Sequence, residues 1–152
     1  MTHITIIAIG KIKSGPEKEW LSEYHKRLGW KVAMHEIEPS KQSAAHARKQ
    51  DEAKQIRKHL PDNAVIFMLD ERGKSLETSQ FAQKLQNYLD QARPIVFIIG
   101  GADGLETELR QQAQHLIAFG AMTWPHKMVR VMLMEQLYRA WTLSIGHPYH
   151  RE

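Results

Sequence analysis

Cysteine is absent from this 152-residue chain, which removes disulfides, thiolate nucleophiles and Cys-ligated zinc or iron–sulfur centres from consideration. Long apolar runs are missing as well. The longest, residues 64–69 and 95–99, fall far short of the about 18 residues that cross a bilayer, so no membrane span is expected. The opening Met1-Thr2-His3-Ile4 lacks the basic stretch, apolar core and small-residue cleavage site of a secretory signal, and the expected location is cytoplasmic. Internal repeats, low-complexity segments and linker-like stretches are also lacking. The length and this continuity predict one domain over residues 1–152.

The composition is that of a folded chain, with 42% hydrophobic and 25% charged residues, near the averages for globular domains. The net charge of +4 is unevenly spread. Residues 1–60 hold twelve Lys/Arg against seven Asp/Glu, residues 61–109 four against eight, and residues 110–152 five against two. Two basic segments around an acidic middle fit a polyanionic partner; solvated helix faces would give the same counts.

Strand and helix patterns alternate along the chain. Residues 3–10 form an isoleucine-rich run ending in glycine, the mark of a buried strand and turn. Pro16 opens an amphipathic helix over residues 17–28, with Trp20, Tyr24 and Leu28 at four-residue spacing. A weaker strand follows at 31–38. Ser40 is the expected cap of a long, mostly exposed helix that ends near residue 60. Residues 64–70 read as another buried strand, with Arg72-Gly73-Lys74 as its loop. Thr78 or Ser79 is the expected cap of a helix running to residue 92. Residues 95–99 give the strongest strand, which breaks into Gly100-Gly101-Ala102-Asp103-Gly104. A short helix from Thr107, a strand at 116–119 and a long helix over 125–145 complete the pattern, and Gly146-His147-Pro148 stops the last helix. The order predicts an α/β domain with a largely parallel sheet covered on both faces. Ligands of such sheets bind at the carboxyl ends of strands, which selects the loops after Asp70, after Ile99 and after Phe119.

The glycine loop permits sharp turning and close approach of a ligand, yet it fits neither the G-x-G-x-x-G fingerprint nor a Walker A loop, so NAD and ATP are disfavoured. A tight structural turn would look the same. His126 stands at a helix start with Arg130 one turn later on the same face; both could reach the strand-end crevice, or serve as a capping residue and an ion-paired one. Met128, Val131, Met132, Met134, Leu137 and Trp141 read as core or interface, and their spread around the helix calls for cover by a second subunit. His147 and His150, with no third ligand near in sequence, do not make a metal site. The tail Tyr149-His150-Arg151 is either a frayed end or a stacking, titrating and phosphate-pairing set suited to RNA.

Several separated motifs agree in order and spacing with one family. Residues 95–104, Met122-Thr123-Trp124-Pro125-His126, Arg130-Val131-x-Leu133-x-Glu135-Gln136-Leu137-Tyr138-Arg139-Ala140, Pro148-Tyr149-His150, the Gly10-Lys11 turn and Tyr24-x-Lys26-Arg27-Leu28 resemble the ribosomal RNA large subunit methyltransferase H family of knotted SPOUT methyltransferases. The resemblance implies a parallel-sheet α/β/α fold with a C-terminal deep trefoil knot. It implies S-adenosyl-L-methionine as cofactor, a homodimer, no metal, and methylation of N3 of a pseudouridine in 23S rRNA of the assembled ribosome. Cofactor contacts carried over by position fall on Leu69, Gly100, Phe119, Gly120, Ala121, Met122, Thr123 and Trp124. Catalytic roles fall on Tyr149, His150 and Arg151, donated by the partner subunit, with Arg130 and His126 holding or polarising the base. A noncatalytic RNA-binding factor of the same fold, or a SPOUT enzyme acting on tRNA, are the competing readings.

Overall fold

Each apolar run becomes a strand because only a sheet covered on both faces can bury consecutive Ile, Val and Phe side chains. A computed structural model describes residues 3–151; Met1, Thr2 and Glu152, which the terminal readings above touch, lie outside the described residues. In chain order the elements are β1 (Ile4–Ile9), α1 (Pro16–Arg27), β2 (Val32–Ile37), α2 (Ala45–Arg57), β3 (Val65–Ser75), α3 (Thr78–Asp90), β4 (Ile95–Ile99), α4 (Thr107–Gln112), β5 (His115–Ala118) and α5 (His126–Ser144). The five strands form one sheet in the order β2-β1-β4-β3-β5, and every pairing is parallel. The expected parallel α/β sheet is therefore present. Central β4 is buried at all five positions.

Alternate side chains of each strand feed two cores. Ile4, Ile6, Phe67, Phe97 and Ile99 join Leu21 of α1, Phe81 and Leu85 of α3, and Leu133, Met134 and Leu137 of α5 on one face. Ile7, Ile9, Ile66, Met68, Val96 and Ile98 join Ala53 and Ile56 of α2 and Leu105 and Leu109 at α4 on the other. α5 lies between α1 and α3. The approach to α1 is close: a Cβ on Gly29 would sit 2.2 Å from the Trp141 ring.

Three local expectations are corrected. Arg72-Gly73-Lys74 is not a loop beyond β3 but part of it, since β3 runs on to Ser75 and pairs with β5 on both sides of an irregularity between Leu69 and Lys74. Gly73 makes this possible, because a Cβ there would lie 2.6 Å from the main chain of Leu116 and Ile117. Ser40 does not cap α2, which begins only at Ala45; its hydroxyl instead accepts the Gln42 N–H at 3.2 Å in a local turn. α3 is capped at Glu77 rather than Thr78 or Ser79, with the Glu77 N–H donating to Gln80 Oε1 at 2.9 Å. Thr78 Oγ1 donates to Gln136 Oε1 on α5. α2 is less exposed than expected, since most of its residues are half-buried or buried, with Glu52, Ala53 and Ile56 in the buried set; the Glu52 carboxylate accepts the Ser40 N–H at 2.9 Å. Among the described residues no helix is long and apolar enough to cross a membrane, and no cluster of His, Asp and Glu could hold a metal ion.

Candidate active site

Parallel strands all point their carboxyl ends the same way, so the irregular stretch of β3 after Leu69 and the loops that leave β4 and β5 meet on one side of the sheet. They enclose a cavity of ≈ 450 Å³ walled by residues 69–72, 99–105 and 117–120, together with Met122 to His126 and Val129. These are the three chain segments that the strand-end rule selected, although the one after Asp70 continues β3 rather than forming a loop. Glycine shapes the walls. A Cβ on Gly100 would stand 2.8 Å from Leu105 Cγ and 3.3 Å from the Gly104 carbonyl oxygen, while Gly120 has φ +96°, a left-handed conformation that disfavours other residues. The segment after β5 is tied down twice: Trp124 Nε1 donates to the Phe119 carbonyl at 3.0 Å, and Thr123 Oγ1 donates to Glu71 Oε2 at 2.7 Å. At the end of the β3 core segment, Asp70 accepts from the Arg72 N–H and guanidinium and lies 3.6 Å from Arg110.

His126 forms the first turn of α5 and lines the cavity. Its Nδ1 is buried and has no hydrogen-bond partner among the described residues. Burial first, then the charges of Arg130 and Lys127, hold its pKa below the ordinary imidazole value, so the ring is neutral near pH 7 and offers one donor and one acceptor. Behind it, Arg130 is completely buried. Its guanidinium donates to the carbonyls of Gly10 (3.0 Å) and Ile9 (3.2 Å) and to Glu36 Oε2 (2.9 Å). Glu36 also accepts the Ile12 N–H at 2.8 Å. One fork therefore locks the ends of β1 and β2, and brings Gly10 against the His126 ring, where a Cβ would stand 3.5 Å from Cε1.

The tail is folded back rather than frayed. Tyr149 packs edge-on against Tyr138 at 4.6 Å, its hydroxyl donates to Glu135 Oε1 at 3.0 Å, and the Arg139 guanidinium covers its ring at 4.9 Å. His150 Nδ1 accepts from Arg139 Nη1 at 3.3 Å, and Arg151 is exposed. Burial, with Tyr24 and Glu135 beside it, raises the Tyr149 phenol well above its usual pKa. Glu135 is nine residues along α5 from His126, an axial rise of about 13 Å. The chain thus gathers Leu69, Gly100, Phe119, Gly120, Met122, Thr123, Trp124 and His126 around one cavity. Ala121 is exposed and stands outside its lining, Arg130 lies behind it, and Tyr149, His150 and Arg151 do not reach it within one protomer. Asp70, Arg72, Asp103, Leu105 and Val129 line it without having been singled out by sequence, and Glu36 supports it from behind.

The lining suits a nucleoside-bearing ligand: Leu69, Ile99, Leu105, Ile117 and Val129 give apolar cover, and glycine turns expose main-chain groups. Comparison with known proteins bears on its identity. A family model described as "Predicted SPOUT methyltransferase" matches residues 2–150. The chain is similar to Ribosomal RNA large subunit methyltransferase H of Rhodopseudomonas palustris (strain BisB18), at 50% identity over 98% of this chain and 99% of that protein. It is also similar to the protein of the same name from Bradyrhizobium diazoefficiens, at 46% over the same shares, and to that of Allorhizobium ampelinum, at 45%. Among solved structures, a probable methylase family protein from Haemophilus influenzae Rd KW20 matches with a TM-score of 0.65 at 14% identity, covering 99% of this chain and 71% of that one. A probable methyltransferase from Bordetella pertussis Tohama I matches with 0.62 at 14%, covering 92% and 95%; both likenesses are of fold.

Proposed function

Because this chain belongs to the ribosomal RNA large subunit methyltransferase H family of SPOUT methyltransferases, we propose that it methylates N3 of a pseudouridine in 23S rRNA of the assembled ribosome, with S-adenosyl-L-methionine as donor. The observation that carries this reading is the strand-end cavity itself, whose walls include Leu69, Gly100, Phe119, Gly120 and Met122 to Trp124, positions that the family resemblance assigns to the cofactor. Leu69, Gly100 and residues 119–124 would hold the adenosine by apolar cover and main-chain hydrogen bonds, with Ala121 contributing through its main chain. When bound, the cofactor supplies an electrophilic methyl group on a sulfonium sulfur.

The chain's own residues orient the acceptor and deal with one proton. N3 of the target is an imide nitrogen whose proton must leave before or as the new bond forms. His126, neutral and lining the cavity, is assigned the role of holding the base edge by a hydrogen bond. Arg130 acts through it, fixing the strand ends against which the ring rests. Tyr149, His150 and Arg151 are assigned to the partner's cavity in a homodimer, with His150 accepting the imide proton at a ring nitrogen and Arg151 stabilising the developing negative charge. The exposed apolar side chains Trp20 of α1, and Leu143 and Ile145 at the end of α5, support a second copy as cover. α5, lying back across the α1/α3 face after the β3–β5 pairing, is the segment we infer to be threaded as the trefoil knot. The protein is read as one domain acting in the cytoplasm. Each small subunit offers little surface for gripping RNA, and the ribosome supplies the remainder.

Transfer of a tritiated methyl group to ribosomes, free 23S rRNA and tRNA, followed by mapping of the modified nucleotide, tests this. Label at a pseudouridine of 23S rRNA in intact ribosomes is expected. Label in tRNA would make it a different SPOUT enzyme, and cofactor-free binding to ribosomes without any label would make it a noncatalytic factor.

A further inference from the structure

The glycine loop after β4 has few means of holding its own shape. Gly101 and Gly104 bridge at its neck, with the Gly104 N–H donating to the Gly101 carbonyl at 3.1 Å. Gly104 has φ +79° and open space where a Cβ would be. Backbone of this kind is cheap to deform. The tip carries one ionisable side chain, Asp103, and among the described residues its carboxylate makes the tip's side-chain hydrogen bonds. Both go to Arg48 of α2, 55 residues earlier: Nε to Oδ2 at 2.8 Å and Nη2 to Oδ1 at 3.3 Å. The same guanidinium donates through Nη1 to the carbonyls of Gln42 (3.1 Å) and Ser43 (2.6 Å). Arg48 is thus held in a fixed fork by the turn that precedes α2, and presents two parallel donors to the loop. A second pair, Arg57 to Glu106 at 2.7 Å, binds the other end of α2 to the residue before α4. Loop and helix are clamped at both sides of the segment 103–106.

We propose that Arg48 is a positioning residue for cofactor binding: its forked contact with Asp103 holds the glycine loop in the shape that walls the cavity. The inference rests on the cofactor reading above. Arg48 itself does not line the cavity, whereas Gly100 to Leu105 do, so its effect reaches the ligand through the loop. The pair is about one-third exposed on each side, which limits the effect to the upper range of a partly solvated ion pair.

Calorimetric titration with S-adenosyl-L-methionine and steady-state methylation of ribosomes test this in the full-length protein. Arg48→Gln should weaken cofactor binding about three- to fivefold and raise the cofactor KM alike, with kcat at saturating cofactor within about twofold. Arg48→Lys, which keeps charge but not the fork, should fall between Arg48→Gln and wild type. Arg48→Gln/Asp103→Asn should bind no worse than the weaker of its two single variants. Unchanged cofactor affinity in Arg48→Gln, with a lowered melting temperature alone, would overturn the proposal and leave Arg48 a purely structural tie. Additive losses in the double variant would also overturn it, by placing Asp103 on the cofactor independently of Arg48. A wild-type chain that binds no cofactor would overturn the cofactor reading and this inference together; wild-type binding with unaffected variants overturns this inference alone.

Discussion

Replacing Arg130 with methionine keeps the apolar stem and deletes the guanidinium, which isolates what the buried fork contributes. Arg130 is 0% exposed and satisfies three acceptors: the carbonyls of Gly10 and Ile9 and the Glu36 carboxylate. Each carbonyl left without a donor in a buried setting costs about 1–1.5 kcal/mol. Glu36 costs less, because its side chain is 32% exposed and water can take over part of the guanidinium's role. It also keeps the Ile12 N–H. The sum is about 3 kcal/mol, at the low end of what breaking a buried ion pair costs. For a chain of this size that is a fall of about 6–12 °C in melting temperature. The assay is thermal and urea unfolding of wild type and Arg130→Met at equal protomer concentration, since any self-association couples to apparent stability. Arg130→Lys, with one compact ammonium in place of a fork, should lose roughly half as much. A melting temperature for Arg130→Met within about 2 °C of wild type would refute the claim that this side chain ties the strand ends together.

Gly73→Ala forces a Cβ to within 2.6 Å of the β5 main chain, so β3 and β5 must separate; we expect a loss of at least about 2 kcal/mol and weaker cofactor binding, since β5 leads into the cavity wall. Wild-type stability of that variant by urea unfolding would contradict the close approach. His115 and His126 are both held below the ordinary value of 6.5, chiefly by burial, so as pH falls through about 6.5 the unfolded chain takes up protons that the folded chain refuses. Stability is therefore full above about pH 7 and declines toward pH 5. In His115→Gln, which retains an acceptor for Tyr88, the difference between unfolding midpoints at pH 7.5 and 5.5 should shrink; an unaltered difference refutes the assignment. Truncation after Gly146 should abolish methyl transfer while leaving cofactor affinity within about twofold, because the tail is absent from the cavity of its own chain. Mixing that truncated chain with Gly100→Val, whose side chain would meet Leu105, should restore about a quarter of wild-type turnover through hybrid dimers. Full activity of the truncated chain alone, or none in the mixture, would exclude a shared site.

The main architecture is legible because it follows from short-range pattern. Residues 95–99 are apolar without alternation, and only a strand buried on both faces accommodates that; β4 is such a strand. Glycines after β4 and β5 mark where the backbone must turn, and the strand-end rule converts those turns into a cavity. What escapes the sequence is set by contacts between distant segments. Nothing in Asp70-Glu71-Arg72-Gly73-Lys74-Ser75 looks like a strand, and it becomes one because Gly73 lets β5 approach. Arg130 reads in sequence as a crevice residue or an ion-paired one, and the ion pair is found, with Glu36; that it is buried where β1 and β2 end could not be read from the helix alone. Arg48 and Asp103 are 55 residues apart, each ordinary in its own neighbourhood, and only the packing of α2 beside the β4–α4 turn joins them. Helix starts are likewise set by local partners: Ser40 bonds in a turn ahead of α2, and the reciprocal Glu77–Gln80 contact caps α3.

The geometry of α5 gives a physical reason for the proposed site to draw on a second copy. Its 19 residues extend about 28 Å. One end presents His126 to the cavity, and the other launches the tail. Gly146, at φ +70°, turns the chain back on itself, so Tyr149 returns only as far as Glu135 and is pinned there by Arg139 and Tyr138. A longer tail could reach the cavity of its own chain, but it would have to unpack the Tyr138 contact and cross the exposed first turns of α5. Two copies whose α5 helices ran antiparallel about a twofold axis would need neither change, because that arrangement would bring the tail end of one helix to the cavity end of the other. The apolar residues left exposed at that end, Leu143 and Ile145, then become contact rather than liability. In the proposed homodimer, dimerisation and catalysis would be one requirement, with the helix length as their common cause.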